Sequence, residues 1–275
     1  MKTFMLGLIG AIALAGTASA ADLPARAYTK AAPMDSAYNW TGFYLGANAG
    51  GGWGRSDAAT STVFSPTGYF ANTSVPAIAT VGAQRIDSSG FTGGLTAGYN
   101  WQSSNVVFGL ESDFDYLGLK ASASGTGIYP CCAPTGFTVN ASVSTDWLIT
   151  FRPRLGIASN NWLFYVTGGL AVANVKGDFS FTDTFAAATE SGSVSKTKTG
   201  WTAGAGIEYA LMNGWSVKGE YLHVDLGSES VSSTNLRAGS VLYPTSVYSH
   251  SVSLTSDIVR AGLNYKFGGP VVARY

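Results

Sequence analysis

From Thr41 to Phe267 the chain is governed by one periodicity: apolar and polar residues alternate with the two-residue repeat of a β-strand. Eight segments carry it, at about 42–54, 90–102, 105–117, 145–158, 162–175, 199–210, 214–226 and 256–267. In the first, Phe43, Leu45, Ala47 and Ala49 share a face opposite Gly46, Asn48 and Gly50. In the third, Phe108, Leu110, Phe114 and Tyr116 alternate with Glu111, Asp113 and Asp115. In the fourth, Trp147, Ile149, Phe151, Leu155 and Ile157 oppose Thr150, Arg152, Arg154 and Gly156. The eighth sets Val259, Ala261, Leu263, Tyr265 and Phe267 against Arg260, Gly262, Asn264 and Lys266.

The connections alternate in length. Three are tight: Ser103-Ser104, Ser159-Asn160-Asn161 and Met212-Asn213-Gly214, the last carrying the Asn-Gly hairpin signal. Four are long and rich in Ser, Thr, Gly and Ala, at about 55–89, 118–144, 176–198 and 227–255. A compact soluble domain rarely carries four such loops. A transmembrane barrel does so routinely, with short turns at one rim and long loops at the other.

The polar face decides what the apolar face meets. Charged residues are only 12% of the chain, Lys+Arg and Asp+Glu are equal at 16 each, and glycine reaches 35 of 275 residues. A nucleic-acid partner is excluded by the missing basic excess, and a disulfide scaffold by two cysteines. A wet sheet face would be rich in Lys and Glu. Here it is Gly, Thr and Asn with five basic residues (Arg152, Arg154, Lys218, Arg260, Lys266) and five acidic ones (Glu111, Asp113, Asp115, Glu208, Glu220). Such balance suits a paired charge network inside a closed lumen, because an unpaired ion there is costly. Small Gly and Thr leave room for the long side chains, and eight strands enclose a lumen that side chains can fill. The expected fold is therefore all-β: an eight-stranded antiparallel up-and-down transmembrane β-barrel with short periplasmic turns and long extracellular loops. Trp101, Trp147, Trp162, Trp201, Trp215, Tyr209 and Tyr265 are expected beside the short turns as an interfacial girdle.

The termini complete the organisation. Met1-Lys2, an apolar run over Phe4 to Ala15 and Ala18-Ser19-Ala20 read as a signal peptide over 1–20, cleaved before Ala21. Residues 21–40, with Pro24 and Pro33, read as a periplasmic extension; the barrel occupies 41–267 and a tail 268–275. Export places the chain in the Gram-negative cell envelope.

The tract Asn39-Trp40-Thr41-Gly42-Phe43-Tyr44-Leu45-Gly46 resembles the opening (N/D)-W-(T/S)-G-x-Y-x-G of alphaproteobacterial outer-membrane barrels, as does Ala21-Asp22-Leu23-Pro24 before it. Val259 to Phe267 resembles their closing strand. These are the small surface antigens of rhizobia and their pathogenic relatives, the porin-family or OmpA-like group. The resemblance implies an outer-membrane location with the N-terminus periplasmic and the long loops outside. It also implies outer-membrane lipid and the barrel assembly machinery as partners, with peptidoglycan or other envelope proteins as further candidates. Some relatives bind hemin, so hemin is the one cofactor the resemblance suggests. Either Phe267 or Tyr275 supplies the terminal aromatic that the assembly machinery reads.

Other chemistry is sparse. Cys131-Cys132, flanked by Pro130 and Pro134, allows a vicinal disulfide, intermolecular links or free thiols. His223, near the outer end of the seventh segment, and His250, in the fourth long loop, are expected on the exposed side as candidate axial ligands for hemin. Neither is followed two residues later by the Ser of a lipid-hydrolase pair, the paired glycines precede no helix, and no enzyme is expected. Glu111, Asp113 and Asp115 lie on one strand face, which suits pairing with lumen cations better than a calcium loop. Three functions remain in play: a structural surface barrel with a plugged lumen, a hemin-binding surface protein, and a narrow diffusion channel.

Overall fold

The computed structural model describes residues 38–268; the signal peptide, most of the extension and all but the first residue of the tail lie outside the described residues. Eight long antiparallel strands carry the fold: β1 (Gly42–Thr62), β2 (Gln84–Ser103), β3 (Val106–Ile128), β4 (Gly136–Ser159), β5 (Trp162–Asp183), β6 (Ala188–Ala210), β7 (Trp215–Ser233) and, after a minimal hairpin of β8 (Arg237–Ala238) and β9 (Val241–Leu242), β10 (Tyr248–Lys266). Each long strand pairs with its neighbour in sequence, and β1 pairs with β10 from Tyr44↔Lys266 to Thr62↔Tyr248, so the sheet closes on itself. Toward the tight turns each long strand is paired on both sides, as an apolar surround demands of backbone N–H and C=O groups; farther up, the β6–β7 ladder ends at Trp201↔Asp225.

The three tight turns lie where the sequence places them. Ser104, Asn160 and Asn213 adopt φ of 55°, 52° and 60°, and Gly214 follows Asn213 at 82°. Those values give the turn a twist that matches the paired strands.

Above the turns, the outward face is a belt of exposed apolar side chains, Leu95 at 66% exposure and Val166 at 59% among them. Its lower edge is aromatic: Trp101 stacks near Phe108, Trp162 near Tyr209 and Trp215 near Tyr265, with ring centroids 4.6–5.9 Å apart. Its upper edge carries Trp53, Phe91, Tyr116 and Trp201. Nine residues separate the edges inclusively on β6, Trp201 to Tyr209, and eleven on β2, Phe91 to Trp101. A tilted strand needs about 9–11 residues to cross a bilayer.

The strands do not stop at that upper edge. They run 19 to 24 residues, so about half of each projects beyond the belt. Most of the four expected long loops is therefore strand, and the true connections at that end are 63–83, 129–135, 184–187 and 234–247. Trp147 and Trp201 likewise sit at the upper edge, not beside the short turns.

The physical reason is an inversion of polarity along each strand. Within the belt, apolar residues point out and polar ones in. Above it the outer face meets water, and Arg55, Asp87, Lys120 and Asp178 take outward positions while Leu117, Leu119, Val175 and Phe179 turn inward. On β4 a bulge between Ser144 and Leu148 swaps the faces. Val139 and Val143 therefore point in while Ile149 and Phe151 point out, although all four are odd-numbered. The outer end closes under α1 (Ser74–Gly82), whose Ile78 is fully buried against Phe70, Phe181 and Tyr248.

Candidate functional site

Inside the belt, nine charged side chains converge. Arg152, on β4, donates from Nη2 to Glu111 Oε1 at 2.6 Å and Asp113 Oδ2 at 2.5 Å, and from Nη1 to Glu220 Oε1 at 3.1 Å. Arg260, on β10, reaches Asp115 through Nη1 at 2.6 Å, and Glu220 and Asp113 through Nη2 at 2.6 and 2.9 Å. Lys218 donates to both oxygens of Glu111 at 3.0 Å. Arg154 meets Glu208 at 3.1 Å, and its guanidinium lies 4.8 and 5.1 Å from the ring centres of Tyr44 and Tyr165. All nine are at most 3% exposed. The arrangement follows from period two: acidic residues on β3 and basic ones on β4 share the inner face, and Glu111↔Arg152 are direct cross-strand partners.

Lys266, expected in this network, stands outside it. Its register position is at the strand end, where its ammonium lies 4.3 Å from the Tyr38 ring centre and donates to the Asn39 carbonyl. The cluster therefore holds five carboxyl groups against four cations. Tyr44 and Tyr165 belong to it and were not singled out from the sequence; their hydroxyls donate to Glu111 at 2.7 Å and Glu220 at 3.0 Å. Their even and odd positions on β1 and β5 are the inward ones, which was the available signal.

The cluster is sealed at both ends. Below it Trp40, 2% exposed, packs with Val107, Leu163 and Ala210, its backbone N–H donating to Gln102 at 2.7 Å. Above it a layer of Leu117, Leu148, Leu222, Leu254 and Ile258 fills the lumen. These groups exclude water from the ions between them, which strengthens each pair and raises the cost of removing one partner.

Higher still sits His250, and here the expectation of an exposed loop histidine is corrected. It lies on β10 with no exposed surface, stacked against Phe179 and Tyr248. Thr60 engages Nδ1 at 3.0 Å and Glu190 engages Nε2 at 3.1 Å, so both ring nitrogens are taken. Its even position on β10 turns it inward, a position hidden when 227–255 is read as loop. His223 is part-exposed on the opposite, outer face of the wall, its Nδ1 2.8 Å from Asp257, which also accepts from Tyr221 at 2.7 Å. The two histidines do not converge.

At the far tip, beside α1, Cys131 and Cys132 are bonded to each other as a vicinal disulfide. Tyr69 and Tyr129 both donate to Asp183 Oδ2, at 2.6 and 3.0 Å. Burial, with the Asp183 carboxylate beside them, holds both phenols protonated well above their ordinary range.

A closed eight-stranded wall, a lipid-sized apolar belt and an ion-paired interior define an integral membrane β-barrel. Residues 9–267 match the family described as the outer membrane protein beta-barrel domain, and the chain belongs to that family. It is 37% identical to a 31 kDa outer-membrane immunogenic protein of Brucella melitensis, over 97% of this chain and all of that protein. It is 29% identical to a 22 kDa outer membrane protein of Rhizobium leguminosarum bv. viciae, over 72% of this chain and 70% of the relative. Among solved structures, the outer membrane protein OprG of Pseudomonas aeruginosa aligns over 84% of this chain and 98% of that one, at 12% identity and TM-score 0.44.

Proposed function

We propose that this outer-membrane barrel has a structural, surface-presenting role in the cell envelope and passes no solutes. The observation that carries the reading is the filled lumen: an indole plug, a desolvated ion cluster and an apolar layer stacked in series. An ion crossing that path would have to shed its water among aliphatic groups that offer no replacement ligands. In this reading residues 1–20 direct export, outer-leaflet lipid surrounds the belt, and the assembly machinery inserts the chain. The projecting half then displays the cap to the medium, in keeping with the immunogenic label of the Brucella relative.

Planar-bilayer recording from the refolded protein tests this. Closed bilayers, together with the heat-modifiable gel migration of a folded barrel, are the expected result. A large, stable unitary conductance from single barrels overturns it, and cross-linking before insertion identifies oligomers.

A further inference from the structure

The cap holds a small recess that the lumen argument does not use. A cavity of about 100 Å³ is walled by Tyr69, Phe70, Tyr129 and Phe185, with the Cys131–Cys132 disulfide and Ser74 completing it. The rings are held at mutual angles: Tyr69 meets Phe70 and Phe185 edge to face at 5.1 and 6.3 Å, and Phe70 lies 6.4 Å from Tyr129. Phe185 is 58% exposed, so one wall of the recess stands open to the medium.

Electrostatics give the recess a sign. Asp183, 8% exposed, accepts from both tyrosine hydroxyls and from the backbone N–H groups of Ala186 and Ala188. Among the described residues no Lys or Arg pairs with it, and Arg237, across the ladder from Thr189, forms no ion pair. The carboxylate behind the tyrosines makes their rings richer in electrons, and ring faces attract cations. An ammonium with N–H groups gives up its water hydrogen bonds on entering a mostly aromatic wall, which offers few acceptors beyond the tyrosine oxygens. A fully alkylated ammonium needs none. Size agrees: an apolar cavity of roughly 150 Å³ holds a benzene, so this one suits a compact, branched head.

We propose that this recess binds a quaternary ammonium group of the trimethylammonium type, as carried by choline. The inference goes beyond the closed-lumen reading and stands whether or not the lumen conducts. Aromatic walls supply attraction to the spread charge, Asp183 sets its sign, and the disulfide offers a polarisable apolar wall. The group has two sources, a free solute or the headgroup of a phosphatidylcholine surface.

The test uses the full mature chain in phosphatidylglycerol nanodiscs, with empty discs as blank, and reads choline chloride by saturation-transfer NMR. The comparison is choline's neutral isostere, in which tert-butyl replaces trimethylammonium. Choline should bind and the isostere should not, because the two match in shape and differ only in charge. Phe185→Ala should weaken choline binding roughly threefold or more, and Asp183→Asn should narrow the gap between choline and isostere. Because Phe185 is exposed, its variant is expected to fold, which heat-modifiable migration verifies. Flotation of the discs with phosphatidylcholine vesicles, against phosphatidylglycerol vesicles, then separates the sources. Recruitment points to the headgroup, and choline binding without recruitment points to the free solute; both support the site. Equal binding of choline and isostere, or binding of neither by the folded protein, overturns it.

Discussion

Arg260 and Glu220 face each other across the β7–β10 ladder, and their side chains meet at 2.6 Å in a sealed lumen. Arg260 also serves Asp113 and Asp115, so a single guanidinium ties three carboxylates on β3 and β7 to β10. Arg152 likewise meets three carboxylates, Glu111, Asp113 and Glu220, and the wall's lower half is organised around the two guanidinium groups.

Removing Arg260 should therefore cost more than removing any one acid. Arg260→Met is expected to destabilise by about 3–5 kcal/mol, the range for breaking a buried pair. Glu208→Gln should cost less than about 1.5 kcal/mol: Glu208 pairs with Arg154 alone, and the cluster already holds one surplus carboxyl group. Urea unfolding in micelles, followed by tryptophan fluorescence, ranks the two; the reverse order contradicts the charge count.

The indole plug below the ions and the apolar layer above them act in series, so removing either alone should not open a path. Trp40→Ala removes the indole beneath the ions, yet Leu117, Leu148 and Leu222 still fill the lumen above them. Bilayer recordings of the variant should stay closed. A sustained current would show that the upper layer does not seal.

The two histidines should separate cleanly. His250→Ala leaves Thr60 without its partner and Glu190 with the Ser233 hydroxyl alone in a buried layer, and removes a ring stacked between Phe179 and Tyr248. A loss of about 2–4 kcal/mol is expected, with faster hydrogen exchange in the projecting halves of β1, β6 and β10. His223→Ala, in a part-exposed pair with Asp257, should change stability by at most about 1 kcal/mol.

The belt predicts a depth profile. Leu95→Arg, at mid-height on the outer face, should cost about 2–4 kcal/mol, whereas Ser122→Arg, outward on the projecting part of β3, should stay within about 0.5 kcal/mol. Refolding yield into vesicles and chemical denaturation read both.

The belt was legible in the sequence because lipid imposes a strong code: Phe108, Leu110 and Phe114 out, Glu111 and Asp113 in. That code gave the eight segments, the three tight turns and nine of the ten network residues. Above the belt the code reverses, and small residues carry it weakly. Val139, Ala141 and Val143 alternating with Asn140 and Ser142 look like polar loop when the reader expects aromatic rings outside. The β4 bulge hides the reversal further by keeping apolar residues on odd positions while turning them to the other face. His250 was misplaced for this reason. Lys266 was misplaced for another: it has the inward parity, but the strand ends before it reaches the ions, and parity says nothing of depth.

The central claim is that one face of each spanning segment meets acyl chains and the other encloses salt pairs. Photolabelling with a bilayer-confined carbene reagent, mapped by peptide mass spectrometry, tests it most directly. Labels should fall on Leu95, Phe114, Leu155 and Val166, spare Glu111, Arg152 and Glu220, and stop above Trp53 and Trp201. Labels on Arg152 and Glu220 with Phe114 and Leu155 untouched would contradict the account.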